Sequence, residues 1–147
     1  MAAAHELRIR VRYSESDQMG IVHHANYLVY LEEGRTALMQ AMGLPYDQVE
    51  RRGFAMAVRR VEVRYRSAAR YGDEVIVRTA VERFRGASIQ YASEIRRVED
   101  AEVLATGTVE VACLAIREGL KPVPLPDDIR EALERHSRPA ENQAPRR

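Results

Sequence analysis

One segment of this chain, Ala25 to Met42, carries its apolar residues at helical spacing, while most of the sequence around it alternates with a period of two. Tyr27, Leu28, Leu31, Leu38, Met39 and Met42 recur every three or four positions, and Gly43 followed by Pro45 supplies the stop. The length predicts a helix of about five turns. Few of its early residues are charged, so it is expected to be enclosed on most sides. Gly34 lowers helix propensity, and close packing against a sheet is one reason to tolerate it there.

The alternating segments supply that sheet. Leu7, Ile9, Val11 and Tyr13 share one face of a strand whose other face carries Glu6, Arg8, Arg10 and Arg12. After a polar segment from Tyr46 to Gly53, Val61, Val63 and Tyr65 alternate with Glu62, Arg64 and Arg66. Val75, Val77, Thr79 and Val81 follow the turn at Tyr71-Gly72-Asp73, then come Ile89, Tyr91, Ser93 and Ile95, and finally Val109, Val111, Cys113 and Ala115. Short turns at Arg85-Gly86, Glu99-Asp100 and Glu118-Gly119 permit antiparallel neighbours and leave no room for crossover helices. Pro122, Pro124 and Pro126 mark an extended exit, and Asp127 is placed to cap a last helix from Asp128 to His136. The pattern predicts an α+β fold in which an antiparallel five-stranded sheet wraps one long central helix around one core. Residues 1–137 are expected to form a single domain, and the aperiodic polar stretch 138–147 a disordered tail.

Composition narrows the function classes. The 147 residues hold 23 basic and 22 acidic side chains, a formal charge of +1, which offers no global field for nucleic acid or anionic membrane. Cys113 is the lone cysteine, so neither an intrachain disulfide nor a zinc-cysteine site is available, as suits a reducing compartment. No apolar run approaches the roughly 20 residues that span a bilayer, and residues 1–10 lack the apolar segment of a signal peptide. A cytoplasmic protein without stable membrane insertion is expected.

Chemistry concentrates between the first strand and the helix, in Tyr13-Ser14-Glu15-Ser16-Asp17-Gln18-Met19-Gly20-Ile21-Val22-His23-His24-Ala25-Asn26-Tyr27. No nucleophile elbow, phosphate loop, dinucleotide fingerprint or H-E-x-x-H pair occurs in the chain. Asp17 shortly precedes the N-terminus of a largely buried helix, where free N–H groups and the dipole favour a developing negative charge. A carboxylate facing such a helix end is a hydrolytic arrangement. Asp also serves as a helix cap or turn residue, the competing reading of this position. His23 and His24 diverge on a helix and have no well-spaced third ligand except Glu32, so no metal is expected. Glu32 and Arg35 stand at i, i+3, the spacing of a structural ion pair. Cys113, alternating with valines, reads as a core residue. Arg83 and Arg85, flanking the turn before Ser88, are candidates for binding phosphates.

The run Tyr13-x-x-x-Asp17-x-x-Gly20-x-Val22-x-His24-x-x-Tyr27, continued by Glu32-x-x-Arg35, resembles the 4-hydroxybenzoyl-CoA thioesterase family of hotdog-fold acyl-CoA thioesterases, including its Tol-Pal-associated branch. Tyr65-x-x-x-Ala69-x-Tyr71-Gly72-Asp73 and Arg85-Gly86-Ala87-Ser88 look like later segments of the same pattern. Two positions depart from it: His23 stands where tyrosine is common, and Ala68 where proline is usual. The resemblance implies a sheet curled around one helix, copies paired edge to edge into dimers or dimers of dimers, and a site at the pair's interface. It implies that Asp17 acts as nucleophile or general base and that the backbone N–H of His24 holds the thioester oxygen. Tyr13, Gly20, Val22, Tyr27, Arg83, Arg85 and Ser88 are then expected to bind substrate. The expected substrate is a small or medium acyl-CoA, aliphatic or aromatic, with acyl carrier protein as the alternative donor and no cofactor beyond the coenzyme A of the substrate. A hotdog hydratase or dehydratase and a non-catalytic acyl-binding oligomer are the competing functions. The first typically carries Asn-Pro after the aspartate, where this chain has Gln18-Met19.

Overall fold

A computed structural model describes residues 4–137. Strand β1 (His5–Arg10) leads through a 3-10 turn (Tyr13–Glu15) into helix α1 (His24–Ala41), followed by a short helix α2 (Tyr46–Arg51). Four long strands come next: β2 (Phe54–Tyr65), β3 (Glu74–Arg85), β4 (Ser88–Arg97) and β5 (Val103–Ala115). A two-residue strand β6 (Lys121–Pro122) and helix α3 (Asp127–Ser137) complete the described chain. Every pairing is antiparallel, and the strand order is β1-β3-β4-β5-β2. β6 continues the place of β4 beside the C-terminal end of β5, pairing Leu114 with Pro122.

The sheet therefore has six strands where five were expected, the sixth being too short to leave a periodic signal. The polar segment after α1 folds as α2, whose one buried residue is Val49. A helix of six residues with a single apolar anchor carries no readable 3.6-residue period. The expected tail 138–147 lies outside the described residues. α3 matches its expected span within a residue and buries Ile129, Ala132 and Leu133, while Arg52, closing α2, makes a bidentate pair with Asp128 at 2.7 and 2.8 Å.

Side-chain alternation places the core as the sequence pattern required. Val75, Val77, Thr79 and Val81 of β3, Ile89, Tyr91 and Ile95 of β4, and Val109, Val111 and Cys113 of β5 are all buried. They face Tyr27, Tyr30, Leu31, Leu38 and Met39 of α1. Cys113 is a core residue, and burial pushes its thiol pKa up.

Gly34 sets how deep the helix lies. A Cβ at this position would sit 2.6 Å from Thr79 Oγ1 and 2.7 Å from Val77 Cγ1, so the helix backbone rests directly on β3. One residue-layer away, Leu31 packs onto the bare backbone of Gly107 in β5, where an added Cβ would meet Leu31 Cδ1 at 3.1 Å. Substituting Gly34→Ala improves intrinsic helix propensity by about 1 kcal/mol but forces overpacking that typically costs about 1–3 kcal/mol. Neither Val77 nor the β-branched Thr79 can swing away. We therefore expect Gly34→Ala to lower the calorimetric Tm; a variant as stable as the parent would show that α1 is free to lift.

Candidate active site

Between β1 and α1 the chain folds a tight loop whose neck is an antiparallel bridge between Ser16 and Val22. Inside that neck the Asp17 N–H donates to Ile21 O at 2.8 Å, and the Gly20 N–H donates to Asp17 O at 3.0 Å. Gly20 takes φ +78°, the left-handed conformation that glycine accepts without a Cβ penalty. The Asp17 carboxylate is partly fixed as well: Oδ1 accepts from the Met19 N–H at 2.8 Å, and Oδ2 has no partner among the described residues. Asp17 is thus a turn-former, as one reading of the sequence allowed, and the same turn holds one carboxylate oxygen while leaving the other free.

Asp17 is not the helix cap. That place belongs to His23, whose Nδ1 accepts from the Ala25 N–H at 3.1 Å, an arrangement that fixes Nδ1 as the unprotonated nitrogen. The Asn26 N–H reaches His23 O at 2.9 Å. The His24 N–H, at the first helical position, has no acceptor among the described residues. One free donor at the positive end of an 18-residue helix therefore survives the capping.

The loop and the helix end are held together by Glu15, which sequence reasoning did not single out. Its carbonyl accepts from the His23 N–H at 2.8 Å and from Asn26 Nδ2 at 3.0 Å. Its carboxylate, with the residue only 5% exposed, accepts from the Arg12 N–H at 2.7 Å and the Tyr30 hydroxyl at 3.0 Å. Burial and then the Glu15 hydrogen bond push the Tyr30 phenol pKa far above its ordinary value. The Tyr30 hydroxyl is thus held neutral as a donor to Glu15.

A cavity of about 310 Å³ lies over these groups, lined by Asp17, Ile21, Val22, His24, Tyr27 and Tyr65 together with Met19 and the Arg66-Ser67-Ala68 segment. Tyr27 is buried, its hydroxyl accepting from the Ala69 N–H at 3.1 Å; burial outweighs that bond and raises its pKa, so it too stays neutral. Tyr65 stacks edge-on against Tyr27 with ring centroids 5.2 Å apart and donates its hydroxyl to His24 O at 3.0 Å. The Val22 N–H donates to Ala69 O at 2.8 Å, tying the loop to the segment after β2. That segment is secured in turn by Arg97, which donates to Ala68 O at 2.7 Å and pairs with Asp73, Asp100 and Glu102.

Of the residues expected from sequence, Asp17, Val22, His24 and Tyr27 meet at this cavity. Gly20 shapes the loop without lining it. Tyr13 turns outward, 79% exposed, with its ring edge-on to Tyr71 at 5.6 Å. Arg83, Arg85 and Ser88 are not brought to the cavity by their own chain. They sit at the β3–β4 hairpin, while the Asp17 loop adjoins the opposite end of β3, where the Val11 N–H bonds Asp73 O. The strand between spans roughly 35 Å. Arg83 is engaged by Gln90 Oε1 at 2.9 and 3.1 Å, and Ser88 Oγ donates to Arg85 O at 3.1 Å. Tyr65, Glu15 and Arg97 are the participants missed; Tyr65 sits on a recognised strand, but nothing in its spacing shows that it meets the helix start.

Residues 11–133 match the thioesterase-like superfamily. A putative acyl-CoA thioesterase, YneP, of Bacillus subtilis is 37% identical over 115 residues, covering 78% of this chain and 82% of that protein. The acyl-CoA thioesterase YbgC of Haemophilus influenzae is 31% identical over 126 residues, covering 85% and 90%. Among solved structures, a DHNA-CoA thioesterase from Staphylococcus aureus superposes with a TM-score of 0.86 at 30% identity, covering 90% of this chain and 89% of that one. Its curled antiparallel sheet around a long helix is the same hotdog architecture, and no helix among the described residues is long and apolar enough to cross a membrane. The chain belongs to the thioesterase-like superfamily and is a hotdog-fold thioester hydrolase.

Proposed function

We propose that the protein hydrolyses acyl-CoA thioesters to the free acid and coenzyme A, with Asp17 as the catalytic carboxylate and the His24 N–H as the oxyanion donor. The observation that carries this reading is that Asp17 and His24, whose Oδ2 and backbone N–H have no partner among the described residues, line one partly apolar cavity. Thioester hydrolysis needs little else. A thiol with a pKa near 8.5 leaves as thiolate without a general acid, so the tasks left are to supply an oxygen nucleophile and to stabilise the oxyanion. Asp17 attacks the carbonyl carbon or takes a proton from the attacking water, and the negative charge that develops on the thioester oxygen meets the His24 N–H. The Tyr27 and Tyr65 rings exclude water from one side and strengthen that contact. The motif supports assignment to the 4-hydroxybenzoyl-CoA branch and its Tol-Pal-associated members, and a CoA substrate supports a cytoplasmic setting.

β2 favours assembly into dimers. It is the last strand of the sheet, twelve residues long, with Val58, Val61 and Tyr65 exposed. A long edge strand with exposed apolar side chains is a template for pairing with another chain, and a second copy paired there would close the open side of the Tyr65 wall. Val61→Asp is expected to lower the sedimentation mass and the turnover together; a monomer with full turnover refutes a shared site.

Two substitutions test the chemistry, using an acyl-CoA panel and a thiol-detecting dye. Asp17→Asn is expected to lower kcat by about 10²-fold or more, the scale of a general base, with an unchanged urea midpoint. His24→Pro deletes the N–H at the helix position where proline is best tolerated, and His23 already holds the extended ψ of 136° that a residue before proline needs. Loss of one oxyanion donor predicts a fall in kcat of about 10²–10³-fold. His24→Ala keeps the N–H and is expected to lose tenfold or less; equal loss in the two variants would assign the role to the imidazole ring instead.

A further inference from the structure

Midway along α1 a second cavity, of about 260 Å³, opens between the helix and strands β2, β4 and β5. It shares no lining residue with the Asp17 pocket. Two of its polar lining residues, Arg35 and Tyr91, come from different elements. Arg35 comes from the helix, its side chain only 14% exposed; it makes no hydrogen bond among the described residues, and Glu32 Oε2 stands 4.0 Å away on a side chain that is mostly in solvent. Tyr91 comes from β4, 1% exposed, and its hydroxyl is buried with no hydrogen-bond partner among the described residues. A buried hydroxyl of this kind is uncommon in a well-packed interior. Arg35 is close enough for its charge to act on the Tyr91 phenol, although burial dominates and raises the pKa.

Both groups are donors, and neither bonds the other. The guanidinium has no acceptor capacity at all. Glu32, whose carboxylate also lines the cavity, stands 4.0 Å from Arg35 on a side chain 67% exposed, and no lining acceptor bonds the Tyr91 hydroxyl among the described residues. A negatively charged ligand can accept from both groups, whereas a water satisfies the hydroxyl without countering the largely buried Arg35 charge. Met39, Met56, Val58 and Val111 give the wall its apolar part, and Glu32, Thr36 and Tyr46 line it as well. The volume falls just under the range of pockets for drug-sized ligands, which suits a small acid.

We infer that this cavity is a carboxylate-binding site, in which a ligand carboxylate accepts from the Arg35 guanidinium and the Tyr91 hydroxyl while a short hydrocarbon part lies against Met39, Met56 and Val111. Such a carboxylate has two sources in a thioester hydrolase: the far end of a dicarboxylic acyl group, or a free acid of the product class. Arg35 follows His24 by eleven residues, an axial distance of about 16 Å along α1.

Binding is measured on the intact protein by NMR, following the Arg35 Nε–H and Tyr91 ring signals during titration with hexanoate and, separately, hexan-1-ol. Hexanoate is expected to shift both signals at concentrations at least tenfold below those at which hexan-1-ol does. Arg35→Met is expected to weaken hexanoate at this site at least tenfold and Tyr91→Phe three- to tenfold, with folding of each variant checked by its thermal midpoint. Equal binding of acid and alcohol, or hexanoate binding untouched by Tyr91→Phe in a folded protein, overturns the proposal. Because no turnover is read, the result stands apart from the Asp17 mechanism. Hydrolysis of adipyl-CoA against hexanoyl-CoA then separates the sources: a tenfold higher kcat/KM for adipyl-CoA that Arg35→Met abolishes identifies the acyl terminus, and equal values identify the free acid.

Discussion

The contact of Gly34 with Thr79 and Val77 governs where everything else in the molecule can be. A helix resting on a sheet through side chains normally stands about 10 Å off it, and here the helix backbone reaches the strand without an intervening side chain. Leu31 reaching the bare backbone of Gly107 repeats the device on β5. The buried face of the helix is thereby set close against the sheet by two contacts, Gly34 on β3 and Leu31 on Gly107 of β5. Its N-terminus is then delivered to one end of the sheet, and the free His24 N–H goes with it.

A deep helix does not by itself bring a carboxylate to its N-terminus. Glu15 does, through four hydrogen bonds that join Arg12, Tyr30, His23 and Asn26. Three of these partners lie on or at the start of α1, and the fourth lies before the loop that carries Asp17. The network spends a nearly buried carboxylate, which is tolerable because Oε1 accepts two hydrogen bonds and the Arg12 guanidinium stands 3.6 Å from Oε2. Arg97 plays the corresponding part behind the cavity, where three carboxylates neutralise it while it holds the Ala68 carbonyl. The Asp17 loop is therefore clamped by charged groups that do not line the cavity over it.

The elements were legible where hydrophobic period and length agree. The span of α1 was correct to one residue at each end, and the alternation of Val75, Val77, Thr79 and Val81 identified the inward face of β3, because one-sided burial enforces a period of two. α2 was not legible, since one buried Val49 makes no period, and neither was β6, whose two residues are paired by the geometry of β5. The site was legible only in part for a similar reason. Asp17, Val22, His24 and Tyr27 are close in sequence and so were grouped by the motif, whereas Tyr65 and Arg97 arrive from other strands through tertiary packing. Arg83 and Arg85 show the converse: a positive pair beside a turn looks the same in sequence wherever that turn lies in the sheet.

The distance of those arginines from the cavity bears on how a small, nearly neutral domain handles a highly charged substrate. Around Asp17 the described chain offers Arg66 at the rim and otherwise apolar or neutral walls. That balance suits the role proposed for Asp17, since a strong cation beside it would stabilise the carboxylate as an ion pair and weaken it as a base or nucleophile. Holding the phosphates of coenzyme A is a separate task and is better performed away from the carboxylate. With roughly 35 Å of strand between the β3–β4 hairpin and the Asp17 loop of the same chain, Arg83 and Arg85 can take that task only for a substrate bound in another copy. The net charge of +1 is then no obstacle, because what matters is how far each arginine stands from the Asp17 carboxylate.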